Sequence, residues 1–193
     1  MRTDRLGRWT LIGLIGGLLG SVLMILYAMV VSLAYKDVGF FTPLYHIGSA
    51  FAEPAAIMAS MEAAMGGDGF YLEAGAATFG LFVHLLTGAG VGALFGALVS
   101  LASPNRMMTV LAGAVYGMIV MLGNAYVGLP IVAEIFGGGE PIADMPSMAG
   151  WGTFLVEHLI FGVVLGLVVA TWATRSTPRR THAARDSSVG SSV

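Results

Sequence analysis

Residues 9–33, 76–101, 107–127 and 150–172 form four apolar runs. Each is long enough for the roughly 20 residues that carry a helix across a bilayer core. Lipid offers no partner to backbone N–H and C=O groups, so each run must be helical. The expected fold class is therefore all-α, a polytopic membrane protein with four transmembrane helices in two tandem helical hairpins. Composition agrees: apolar residues make up 56% of the chain and charged residues 10%. A soluble surface needs about a quarter charged residues. The chain has no cysteine, which excludes disulfides, thiolate metal sites and thiol catalysis.

The basic residues predict the orientation. Arg2, Arg5 and Arg8 precede the first run, Arg106 separates the second from the third, and Arg175, Arg179, Arg180 and Arg185 follow the fourth. Only Lys36 falls on the other side. The positive-inside bias puts both termini in the cytoplasm of a multi-pass plasma-membrane protein. Ser32 and Ala34 resemble a signal-peptide cleavage site, but the run before them is longer than a signal core. The domain expectation is one four-helix domain over 1–174. Residues 175–193, polar and basic, are expected as a disordered cytoplasmic tail.

The second and fourth runs share a motif. His84-Leu85-Leu86-Thr87-Gly88-Ala89-Gly90-Val91-Gly92 matches His158-Leu159-Ile160-Phe161-Gly162-Val163-Val164-Leu165-Gly166 as His-Leu-aliphatic-x-Gly-x-x-x-Gly. Gly13 and Gly17 match Gly113 and Gly117 in the first and third runs. These matches read as an internal repeat. Gly80, Gly88, Gly92 and Gly96 with His84, and Gly162 and Gly166 with His158, recur every fourth residue and so share a helix face. Such stripes let backbones approach closely, as in glycine-zipper packing. They also suit a homo-oligomer or another membrane protein as partner.

The candidate buried polar site is His84, His158 and Glu157. Each histidine lies eight residues inside its run, about 12 Å below the outer surface at about 1.5 Å per residue. The residues leave several readings open. The imidazoles would pack by hydrogen bonds to neighbouring helices, ligate a haem b iron as a pair, serve a metal or proton pathway with Glu157, or line a lipid or quinone pocket. Asn124 reads as an interhelical hydrogen bond and Glu134 as a group near the outer interface. Residues 55–65 read as an outer amphipathic helix with Ile57, Met58, Met61 and Met65 on one face. Thioethers are soft ligands for Cu(I), so Met58 and Met61, with Met145, Met148 and His46, are weak copper candidates.

Gly66-Gly67-Asp68-Gly69 and Gly137-Gly138-Gly139-Glu140-Pro141 read as turns, and neither fits a phosphate loop. No nucleophile motif or catalytic triad is present, and the tail is too short to argue for nucleic acid. The paired histidine helices, with Gly128-Leu129-Pro130-Ile131-Val132 between them, resemble small four-span bacterial membrane proteins of no assigned activity. The expectation is a non-enzymatic membrane protein, a structural or partner subunit with no resident cofactor. The alternative is a metal-, proton- or haem-linked transport or redox protein using His84 and His158.

Overall fold

The computed structural model describes residues 2–51, 55–102, 105–137 and 139–174, and these contain helices and no strand. The tail expected at 175–193 lies outside the described residues. In chain order the helices are α1 (Arg2–Tyr35), α2 (Thr42–Ser49), α3 (Ala55–Met65), α4 (Ala74–Ala102) and α5 (Arg106–Gly123). A π-helical segment (Asn124–Gly128) leads into α6 (Leu129–Phe136), followed by α7 (Gly139–Ala143), α8 (Met145–Ala149) and α9 (Trp151–Thr174). Four helical stretches are long and apolar enough to cross a membrane: Asp4–Tyr35, Ala74–Ala102, Arg106–Phe136 and Trp151–Trp172.

The third of these does not stop where its first apolar run does. It continues through the π segment and past Pro130 to Phe136. Proline has no N–H, and its ring crowds the carbonyl of the preceding turn. A π turn just ahead of it widens the helix at the place of conflict. Its closing bond runs from the Leu129 N–H to the Asn124 carbonyl. Glu134 is therefore helical, on an exposed face of α6.

α1 packs against α4 and α9, and α5 packs against α9. Glycines set these contacts. A methyl group at Gly92 would overlap the Gly13 carbonyl oxygen and sit 2.6 Å from the Gly17 Cα. One at Gly162 would overlap the Gly113 carbonyl oxygen and sit 3.0 Å from the Gly117 Cα. The obstacles are backbone atoms, which cannot turn aside. Gly80 meets α2 instead, where a methyl would overlap the Leu44 carbonyl oxygen. α1 carries a second pair facing α9: a methyl at Gly16 would lie 2.9 Å from Leu165, and one at Gly20 2.9 Å from the Phe161 carbonyl oxygen.

The two halves of the bundle differ along its axis. Towards the Arg5 end, Ile12, Phe95, Val99, Phe161, Leu165 and Val169 form a closed apolar core, with Leu165 and Val169 fully buried. The Tyr116 hydroxyl donates to the Val91 carbonyl oxygen at 3.0 Å and ties α5 to α4. At the other end, the chain leaves α1 through Asp37 (φ 51°) and Gly39 (φ 102°). A side chain at Gly39 would strike Ser60 Oγ at 2.6 Å, so the turn needs glycine for space as well as for φ. Ser32 Oγ donates to the Gly39 carbonyl oxygen at 2.7 Å, and the Thr42 and Ser60 hydroxyls pair at 2.9 Å. These bonds seat α2 and α3 over the end of α1.

On α3, Ile57 is buried and Met61 is partly buried, while Met58 and Met65 are 67% and 81% exposed. The four residues expected on one face thus divide. Residues 57 and 61 are one turn apart and share the inward side, whereas 58 and 65 lie about 100° and about 80° round the helix from 57.

Candidate functional site

A cavity of about 600 Å³ occupies the end of the bundle away from the closed core. Most of its wall is apolar, from residues such as Ile25, Val31, Leu129 and Val132. Besides the hydroxyls of Ser32, Thr42, Thr87 and Thr153, its polar groups come from separate elements: His46 on α2, His84 on α4, Asn124 in the π segment, and Glu157 and His158 on α9. Lys36, just beyond α1, also lines it. The three residues singled out in the sequence, His84, His158 and Glu157, therefore open on one space, joined by three others.

The two motif histidines are held differently. His84 Nε2 lies 3.0 Å from the Ser21 carbonyl oxygen on α1. A carbonyl only accepts, so Nε2 carries the proton and donates across the helix pair. His158 Nδ1 lies 2.8 Å from the carbonyl oxygen of Phe154, one turn back on its own helix. Its Nε2 faces Asn124 Nδ2 at 3.4 Å, with the amide as donor. The Phe154 ring packs on the His158 ring with centroids 4.4 Å apart. Asn124 reaches this partner from the π segment.

Glu157 is 7% exposed and makes no hydrogen bond among the described residues. The Lys36 ammonium donates to the Met148 carbonyl oxygen at 2.7 Å, which fastens α8 to the end of α1. His46 Nε2 is buried and has no hydrogen-bond partner among the described residues. Burial, reinforced by the Lys36 charge, holds the His46 pKa below the ordinary imidazole value of 6.5. Beside it, the Tyr45 hydroxyl donates to the Tyr71 carbonyl oxygen at 3.1 Å and accepts from the Glu73 N–H at 2.8 Å. That pair of bonds fixes α2 against the start of α4.

Of the thioethers considered for copper, Met61, Met145 and Met148 line the cavity, while Met58 is outside its wall. Among the described residues, no group of three His, Asp or Glu side chains is close enough to hold a metal ion. The glycines of the histidine motifs are occupied elsewhere: Gly88 lies against Ser21 and Gly17, and Gly162 against α5.

Sequence reasoning singled out the motif histidines because their pattern repeats. It did not join Asn124 to His158, because a π turn shifts register in a way apolar periodicity does not record. Lys36 was legible only as the one basic residue on its side. Pro43 at the start of α2 and the lone His46 after it were the available signal for a short helix folded back over the site. Comparison of the chain with family models, curated proteins and solved structures gave no match.

Proposed function

We propose that this is a non-enzymatic, multi-pass membrane protein whose working part is the cavity, and that the cavity binds a small amphiphilic molecule. The observation that carries this reading is the convergence of polar side chains from four elements on one largely apolar space of about 600 Å³. Pockets for small ligands typically measure roughly 300–1,000 Å³ and combine apolar walls with a few polar groups. In this reading both termini are cytoplasmic, supported by the arginines flanking the spans and by Lys36 alone opposite. The site then lies in the outer half of the bilayer. The chain is also read as a tandem repeat of two hairpins, in keeping with small four-span bacterial membrane proteins. Support comes from Gly13 and Gly17 meeting α4 as Gly113 and Gly117 meet α9.

The test is mass spectrometry of molecules that co-purify in mild detergent. The wild-type protein should carry one in near-stoichiometric amount, and the double variant His84→Ala, His158→Ala should lose it. A wild-type protein carrying no more than bulk lipid would sink the reading.

A second reading, haem- or metal-linked redox or transport, is favoured by one observation. Each motif histidine gives one ring N–H to a main-chain carbonyl and keeps a lone pair on the other nitrogen. Ligating imidazoles are commonly held in that way. An absorption spectrum with elemental analysis decides it: a Soret band or stoichiometric metal would favour it, and a colourless, metal-free protein would remove it.

A further inference from the structure

The cavity wall has an imbalance between hydrogen-bond donors and acceptors. In a neutral imidazole one nitrogen donates and the other accepts. His84 spends its N–H on the Ser21 carbonyl, so its Nδ1 is an acceptor. His158 spends its N–H on the Phe154 carbonyl, so its Nε2 is an acceptor, met only by the long 3.4 Å contact from Asn124. An ionised Glu157 carboxylate accepts only; the side chain is 7% exposed, lines the cavity and makes no hydrogen bond among the described residues. Three side chains lining the cavity therefore present acceptors, while Asn124 and Lys36 are committed to His158 and the Met148 carbonyl; His46 and Thr153, which also line it, each bring a donor together with an acceptor and leave the excess of acceptors in place. Buried polar groups are ordinarily hydrogen-bonded, and a group left without a partner needs an explanation.

We infer that the cavity takes an uncharged amphiphile whose head donates hydrogen bonds, a hydroxyl of the phenol or alcohol class, with its hydrocarbon body against the apolar wall. The inference rests on the ligand-binding reading above and narrows it. Lys36 and an ionised Glu157 line the same space with opposite charges, so a charged head of either sign is repelled by one of them. A single metal ion is a poorer occupant: no three His, Asp or Glu side chains meet at one point among the described residues. An organic head with a hydroxyl, or with two on opposite edges of a ring, spans such a space and still reaches acceptors on both α4 and α9.

The experiment is a titration of the full chain in lipid nanodiscs with three probes of matched tail: 4-octylphenol, its methyl ether 4-octylanisole, and 4-octylbenzylammonium. Trp151 packs edge-on to Phe154 with ring centroids 6.5 Å apart, so its fluorescence reports on the wall. The phenol should bind about 10-fold tighter than the ether, which keeps the oxygen but has lost the donor. Glu157→Leu, checked for an unchanged elution volume, should shrink that ratio several-fold. The wild-type ratio is itself decisive if the variant fails to fold. Equal binding of phenol and ether would overturn the inference while leaving the cavity a ligand site. Preference for the ammonium would also overturn it. Binding of none of the three would bring down both this inference and the reading beneath it.

Discussion

His84 and His158 carry the same motif, but only His84 bridges two membrane-crossing helices through the main chain. His84→Ala should therefore loosen α1 from α4 by about 0.6–2 kcal/mol, the range for interhelical hydrogen bonds in membranes. Unfolding in mixed micelles reads this, and a cost equal to that of Ser21→Ala, which keeps the acceptor carbonyl, would contradict it. His46 makes a different prediction. Its pKa in the fold lies below the 6.5 of the free imidazole, so the fold favours the neutral ring. The stability this contributes is present above pH 6.5 and is lost as pH falls through the lowered pKa. Melting temperature should fall between about pH 7.5 and about pH 5, and His46→Phe should flatten that part of the curve. A profile unchanged by the substitution would mean that other groups set the acid limit.

Two glycines on α4, two positions apart, separate packing from propensity. Gly92→Ala forces a methyl into the backbone of α1 and should cost about 1–3 kcal/mol by overpacking. Among the described residues nothing lies within 4 Å of a methyl at Gly90, so Gly90→Ala should be neutral, or stabilising by up to about 1 kcal/mol through helix propensity. Thermal denaturation of the two variants side by side checks the contrast, and similar losses in both would refute close contact at Gly92. The four apolar runs and the fourfold spacing of these glycines were legible in the sequence because lipid enforces helices and backbone contact enforces small residues. Gly16 and Gly20 were passed over because their spacing looks like that of any glycine in an apolar run, and only the position of α9 gives them a task. The π segment was illegible for a related reason. Pro130 announces a disturbance, but not that the helix would widen and go on, carrying Asn124 to His158.

The whole molecule is polarised along its axis, solid at the Arg5 end and hollow at the other. With no cysteine in the chain, a single introduced thiol can report which end faces outward. Met65 is 81% exposed on α3 and Met107 is 69% exposed at the start of α5, at opposite ends of the bundle. In intact cells a membrane-impermeant maleimide should label Met65→Cys directly and Met107→Cys only after permeabilisation. The reverse pattern would invert the topology and move the cavity to the cytoplasmic half. α1 holds a further consequence, since it is gripped on both sides by helices encoded after it. It leaves the ribosome before either partner exists. One face waits for α4, and the other, at Gly16 and Gly20, stays open to lipid until α9 has been made. The wall that carries Glu157 and His158 arrives with α9, so a nascent chain has no finished chamber to fill. Occupancy of the chamber would then mark chains whose four crossings have all been inserted.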